Sequence, residues 1–238
     1  MKILSVECSA TPCSVAISED KKILSSLFTN EKLTHSQTLM PMVEKVLLEC
    51  GSSASEIEGL AVSAGPGSFT GIRIGISAIK GLGAPKLLPC APVSTLLAIA
   101  HNYIDCDCIV CAVMDARCNQ VYNAVFDISD GSITRICEDR AILCEELAEN
   151  LKIVSQTHKK RVIIVGDGTN VFYPFVKDLP FVEAADEERM YQNAVGVALA
   201  ADEMFKNNTT VSPQELLPVY LRLPQAEREL KLKRSNEK

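Results

Sequence analysis

Glycine is concentrated in one stretch whose composition is typical of a phosphate-binding loop, SAGPGSFTGIRIG at residues 63–75. The stretch follows an apolar run and precedes an amphipathic pattern, and a helix N-terminus after such a turn offers free N–H groups to an anion. Its spacing nevertheless misses both common nucleotide motifs. Gly71 is followed by Ile72 and Arg73, where a Walker loop has Lys and then Ser or Thr. Thr70 stands where a dinucleotide fingerprint has its third glycine.

The same glycines could instead serve close packing. Gly71, Gly75 and Ala78 fall on one edge of the predicted helix and leave that edge without bulky side chains, so that another helix could approach it. An apolar edge of isoleucines lies beside it. From the residues alone, an anion-binding loop and a close helix contact are equally supported.

Other residues that could do chemistry are few. Glu7 and Asp115 each end a predicted strand, but the turns that follow, CSATPC and ARCNQ, contain no glycine that would let backbone approach a phosphate. The histidines are His35, His101 and His158, and no two of them have a spacing typical of a metal site. No nucleophile and base stand near each other in the sequence.

Three of the ten cysteines form the cluster CDCIVC, namely Cys106, Cys108 and Cys111. On a strand, the first two would share one face and Cys111 would point to the other. A tetrahedral zinc site needs four convergent ligands. We therefore interpret these cysteines as small buried hydrophobic residues.

Net charge and hydropathy exclude several classes of protein. The 238 residues include 24 basic and 30 acidic side chains, a net charge of −6, which argues against a stand-alone nucleic-acid binder. The stretch 222–238 is locally basic and is interpreted as a mobile tail. The first residues lack the pattern of a signal peptide, and no apolar run is long enough to span a membrane, so a cytoplasmic protein with reduced thiols is expected.

The elements needed to position these residues follow a repeated order. Hydrophobic periodicity predicts three strands, a helix, a strand and a helix in each half of the chain. Such a duplication indicates an α/β fold of two similar lobes with a cleft between them. The predicted division is an N-terminal lobe at 1–103, a C-terminal lobe at 104–222 and the basic tail at 223–238.

Five stretches together resemble the TsaB family, also called YeaZ. They are ILSVECSATPCSVAIS, THSQTLMPMVEKVL, SAGPGSFTGIRIGISAIKGLG, MDARCNQVYNAVF and LLPVYLR, in that order from residue 3 to 222. The resemblance implies the duplicated actin/Hsp70/sugar-kinase-like (ribonuclease H-like) fold. It also implies an accessory subunit without a cofactor, acting in synthesis of N6-threonylcarbamoyladenosine at position 37 of tRNAs that read codons beginning with A.

The resemblance further implies partners and a surface. A TsaB-like protein pairs with a TsaD-like catalytic subunit, meets a TsaE-like ATPase and tRNA through that complex, and forms a homodimer when alone. The contact would be a four-helix bundle built from the helices at about 35–50 and 71–82, which favours close helix packing as the role of the glycines. The interface residues expected on this basis are Leu39, Met42, Val43, Val46, Gly71, Arg73, Gly75, Ile76, Ala78 and Ile79.

Two departures bear on catalysis. The catalytic paralogues hold a metal on His-x-x-x-His, whereas Leu39 stands four residues after His35. Glu7 replaces the aspartate usual in the wider superfamily, and VGDGTN at 165–170 is either a remnant of the adenosine-side turn or a helix cap by Asp167. A non-catalytic subunit is therefore expected. The alternative is an ATP-binding or metallopeptidase-like enzyme of the same fold acting on its own.

Overall fold

Two five-stranded mixed sheets form the centre of the molecule in the computed structural model, which describes residues 1–31 and 33–222. The predicted tail, 223–238, lies outside the described residues. The strands are β1 Lys2–Glu7, β2 Cys13–Glu19, β3 Lys22–Thr29, β4 Gly59–Gly65, β5 Cys90–Ser94, β6 Cys108–Asp115, β7 Gln120–Ser129, β8 Ser132–Leu143, β9 Val162–Val165 and β10 Val182–Ala184. The α-helices are α1 His35–Glu49, α2 Phe69–Gly83, α3 Thr95–Ala100, α4 Cys144–His158, α5 Thr169–Phe172 and α6 Ala194–Lys206.

The two sheets have the same topology. The first has the order β3-β2-β1-β4-β5 and the second, read in the same direction, β8-β7-β6-β9-β10. In each, an antiparallel three-stranded meander is extended by parallel strands reached through helices. The predicted duplication of β-β-β-α-β-α is therefore confirmed.

Two helices lie between the sheets. Leu96 and Ile99 of α3 pack with Phe126 of the second sheet, although α3 precedes that sheet in the chain. Val197 and Ala201 of α6 pack on the first sheet. The boundary at residue 103 thus stays a prediction, because each half supplies a helix to the core of the other.

Strands β5 and β10 were missing from the sequence prediction. The sequence of β5, CAPVS, contains Pro92, which reads as a strand breaker, but β5 is the edge of its sheet, where proline is tolerated. Strand β10 has only three residues, too few for a periodic pattern. Helix α1 begins at His35, and Pro41 lies inside it.

The cysteines of the CDCIVC cluster pack as expected for apolar side chains. Cys108 and Cys111 on β6 are buried in the cores on opposite faces of the second sheet. Burial raises the pKa of the Cys108 thiol to about 11, so this thiol stays protonated. Cys106 precedes the strand and is partly exposed.

No helix within the described residues, 1–31 and 33–222, is long and apolar enough to cross a membrane.

Candidate partner surface and interlobe cleft

The glycine loop between β4 and α2 packs directly against the turn between β1 and β2. Gly67 has φ +153°, and a Cβ there would overlap the carbonyl oxygen of Ser9. The N–H of Ser68 donates to the same oxygen. Ser68 Oγ in turn caps α2 by accepting from the N–H of Gly71 at 3.3 Å. Two N–H groups that could bind a phosphate, those of Ser68 and Gly71, are therefore already used by the chain itself.

The small edge of α2 faces the chain's own first strands. A Cβ at Gly71 would overlap the carbonyl oxygen of Cys8, and one at Gly75 would lie 3.3 Å from Val62 Cγ2. Gly81, on the same helix, faces open space. The glycines let α2 lie close to the end of β1 and to β4, so its small edge packs against the chain's own strands and not, as expected, against another helix.

The ten residues expected at the partner interface divide by burial. Leu39, Val43, Val46, Gly71, Gly75, Ile76 and Ile79 are buried within the first lobe. Met42 and Ala78 are partly buried against that core, and Arg73 is exposed. Leu39, Val43 and Val46 of α1 and the small edge of α2 therefore cover the sheet of their own lobe. Their contact with a partner stays a prediction.

The outer face of the two helices carries apolar side chains that the sequence analysis did not single out. On α1, Met40 is 45% exposed and Leu48 is 80% exposed. They stand eight residues apart, so they share one side of the helix with Glu44 between them. On α2, Arg73, Ser77 and Gly81 are exposed at the same four-residue spacing. We call these exposed residues of α1 and α2 the outer helix face.

A second feature joins the outer helix face to residues 216–222, which we call the C-terminal segment. Tyr220 stacks on Phe69 with ring centroids 4.8 Å apart, and the guanidinium of Arg73 lies 3.7 Å from the Phe69 centroid. Arg73 Nε donates to the hydroxyl of Tyr220 at 2.8 Å. The N–H of Val219 donates to Ala64 at the end of β4, which fixes the segment on the glycine loop. The residues LLPVYLR therefore belong structurally to the first lobe.

A cleft of about 600 Å³ separates the lobes. The two β-hairpin turns, the glycine loop and the C-terminal segment line it. Arg222 lines the cleft and donates to the carbonyl oxygen of Ala116 in the second lobe at 2.6 Å. The cleft is thus partly bridged by the chain's own backbone and side chains.

Glu7 lies at the base of the first lobe's side of the cleft but is not presented to it. Its side chain is fully buried, accepts hydrogen bonds from the N–H of Ser9 and from the hydroxyl of Ser63, and does not line the cleft. Burial raises the pKa of the Glu7 carboxyl, and these hydrogen bonds oppose that rise. This locked carboxyl is a structural group of the hairpin.

Asp167 does line the cleft, at the end of β9. Burial, followed by the negative charge of Asp115, raises the pKa of Asp167 to about 7. Its Oδ1 has no hydrogen-bond partner within the described part of the chain. The sequence left open that Asp167 caps the next helix. This alternative is wrong, because the residue before α5 is Gly168 and no side chain caps that helix.

The histidines are dispersed. His35 opens α1 and lies 3.1 Å from the carbonyl oxygen of Pro12. His101 follows α3, and His158 contacts Asp127 at 3.0 Å on the second lobe. Within residues 1–31 and 33–222, no group of three His, Cys, Asp or Glu side chains is placed to hold a metal ion.

Comparison with known proteins assigns the family. The family model described as TsaD, tRNA N6-adenosine threonylcarbamoyltransferase, matches residues 22–230. The chain is 32% identical over 224 residues to the tRNA threonylcarbamoyladenosine biosynthesis protein TsaB of Escherichia coli K12, covering 93% of this chain and 95% of that protein.

Solved structures agree in fold. YeaZ from Pseudomonas aeruginosa superposes with a TM-score of 0.80 at 25% identity, covering 92% of this chain and 99% of that one. The ethanolamine utilization protein EutJ from Carboxydothermus hydrogenoformans, 14% identical, gives a TM-score of 0.51 over 84% of this chain and 90% of its own. The fold is the predicted duplicated actin-like, two-lobed type, and the chain belongs to the TsaB (YeaZ) family of tRNA threonylcarbamoyladenosine biosynthesis proteins.

Proposed function

We propose that this protein is a non-catalytic subunit that pairs with a TsaD-like catalytic subunit. Together with a TsaE-like ATPase, that complex transfers threonylcarbamoyl to N6 of adenosine 37 in tRNAs reading codons that begin with A. Similarity to TsaB proteins along nearly the whole chain supports the pathway. The spacing of the three histidines, which does not reproduce His-x-x-x-His, supports the non-catalytic role.

One observation carries the partner surface. On the outer helix face, Met40 is 45% exposed and Leu48 is 80% exposed, although both stand on a helix whose opposite side is buried. Two exposed apolar side chains on the same side of one helix support a protein contact there. A second copy of this chain could cover the same face, which gives a homodimer when the catalytic subunit is absent.

The cleft supports a non-catalytic subunit over an ATP-binding enzyme that acts on its own. The N-terminus of α2 is capped by Ser68, the N–H of Ser68 bonds to Ser9, and Arg222 bonds to Ala116 of the second lobe. Titration of the isolated protein with ATP and Mg²⁺ in a calorimeter checks the enzyme alternative. Micromolar binding there would favour that alternative.

Reconstitution tests the function directly. The catalytic subunit and the ATPase from the same genome are supplied with tRNA and the threonylcarbamoyl donor, with and without this protein, and modified adenosine is measured by mass spectrometry. We expect formation of the modified nucleoside to depend on this protein. The double variant Met40→Glu, Leu48→Glu should fail to support it, whereas Ile153→Glu should support it fully. Ile153 is an equally suitable exposed apolar site, at 64% exposure on α4 of the other lobe.

A further inference from the structure

Arg73 is held in a fixed position although its side chain is exposed. Its guanidinium lies over the ring of Phe69 and 5.8 Å from the ring centroid of Tyr220, and its Nε is hydrogen-bonded to the Tyr220 hydroxyl. Arginine stacked on an aromatic ring in this way loses less conformational freedom when it binds a further group. The three side chains come from α2 and from the C-terminal segment.

The remaining nitrogens of Arg73 are available. Nη1 and Nη2 make no hydrogen bond or ion pair to any residue that the structure describes. These two nitrogens form the end of the guanidinium fork, which matches the two oxygens of a carboxylate or phosphate. Arg73 is therefore a pre-positioned anion-binding group without an anion from its own chain within the described residues.

The surroundings of Arg73 indicate which anion. It lies in a groove of about 530 Å³ whose lining also includes Ser36, Phe69, Ile74 and Ser77, on the outer helix face. Arg73 is the one cation among the described residues that line this groove. Nucleic-acid binding needs several cations along the backbone. Arginine and aromatic side chains are enriched among the residues that dominate protein–protein binding, which favours a protein carboxylate.

We infer that Arg73 binds a carboxylate side chain of the catalytic partner, and that Phe69 and Tyr220 are positioning residues that hold its guanidinium for this contact. The inference rests on the proposed function, since it concerns the same outer helix face. It also gives the C-terminal segment a role, because Tyr220 brings that segment to the edge of the partner surface.

Calorimetric titration of this protein with the catalytic subunit tests this contact. Arg73→Gln removes the charge and the fork, and we expect the dissociation constant to rise about tenfold or more. Arg73→Lys keeps the charge without the fork and should recover only part of the affinity. Arg161→Gln, an exposed arginine of the second lobe that faces Glu183, is the matched control and should leave the dissociation constant unchanged.

Two further readouts separate binding from structure. The salt dependence of the dissociation constant should be flatter for Arg73→Gln than for the unaltered protein, because one charge pair is gone. Tyr220→Phe removes the hydrogen bond to Arg73 but keeps the stacked ring, so a smaller loss of affinity is expected. Unfolding temperatures of all variants, measured alone, should stay close to that of the unaltered protein.

The outcomes distinguish this inference from the proposed function. If Arg73→Gln binds as tightly as the unaltered protein while Met40→Glu, Leu48→Glu does not bind, the carboxylate contact is wrong and the partner surface stands. If the unaltered protein itself fails to bind the catalytic subunit, the proposed function is wrong. If Arg73→Gln leaves the heterodimer intact but weakens its binding to tRNA, a phosphate is the anion and the inference is overturned.

Discussion

At the scale of single residues, the glycines of α2 separate packing from partner contact. Gly71 is closed in by the Cys8 carbonyl, whereas Gly81 faces open space on the same helix. We expect Gly71→Ala to lower the free energy of unfolding by about 1–3 kcal/mol, because the methyl group must displace backbone. Gly81→Ala should raise it by about 0.5–1 kcal/mol, through the higher helix propensity of alanine. Urea unfolding of both variants measures this, and equal effects of the two substitutions would contradict the packing account.

Asp167 makes stability depend on pH. Its pKa of about 7 in the folded protein lies above the value near 4 of an unfolded aspartate, so the folded state keeps a proton that the unfolded state releases. The free energy of unfolding should therefore fall as pH rises from about 4 to 7, by at most about 1.4 kcal/mol per pH unit from this group. It should level off above that window.

The variant Asp167→Asn isolates this contribution. Glu7 has a raised pKa as well and changes stability in the same direction, so the comparison is between the two pH profiles and not with a flat line. We expect the profile of Asp167→Asn to fall less steeply from pH 4 to 7. Parallel profiles from chemical denaturation would show that the carboxyl of Asp167 titrates normally.

The roles of individual residues were also the hardest feature to predict from the sequence. It identified the glycines around Gly71 as unusual but supported anion binding and packing equally. Only the position of Cys8 against the helix distinguishes the two, and that contact joins residues 63 positions apart in the chain. Leu48 and Tyr220 drew no attention as single residues, because an exposed leucine and a tyrosine near a chain end carry no local pattern.

At the scale of elements, the caps of α6 and α1 give a matched pair. Asn193 Oδ1 accepts from the N–H of Gly196 at 3.0 Å, and Asn193 Nδ2 donates to Asn102, which follows α3. We expect Asn193→Ala to lower the free energy of unfolding by about 1 kcal/mol or more. Thr34 precedes α1 without a capping hydrogen bond, so Thr34→Ala should lower the free energy of unfolding by less than Asn193→Ala does. Thermal unfolding checks this difference, and a larger loss for Thr34→Ala would contradict the assignment of the caps.

Elements with long periodic patterns were predictable from the sequence. The spacing of Leu39, Val43 and Val46 predicted α1 and its buried side, and the apolar run before Gly65 predicted β4. What periodicity did not reveal was which structure the buried side faces. An apolar stripe looks the same whether it covers the chain's own sheet or a partner, and for α1 the structure shows its own sheet. Strand β5 was missed because its proline is acceptable only at a sheet edge.

At the scale of the whole molecule, the repeated element order was sufficient to predict two lobes and a cleft. It did not predict that α3 and α6 pack together between the sheets, with Gly196 against the carbonyl of Ala98. Nor did it predict that the segment ending at Arg222 returns to the first lobe and bridges the cleft. Both depend on contacts between residues about 100 positions apart, which no local sequence pattern encodes.

The central claim is that the outer helix face of α1 and α2 binds a TsaD-like subunit. Size exclusion with light scattering tests it most directly, using this protein alone, mixed with the catalytic subunit of the same genome, and as the variants Met40→Glu, Leu48→Glu and Ile153→Glu. We expect a homodimer alone that gives way to a heterodimer in the mixture, loss of both species for Met40→Glu, Leu48→Glu, and normal pairing for Ile153→Glu. A monomer that ignores the catalytic subunit, or undiminished pairing by the double variant, would contradict the account.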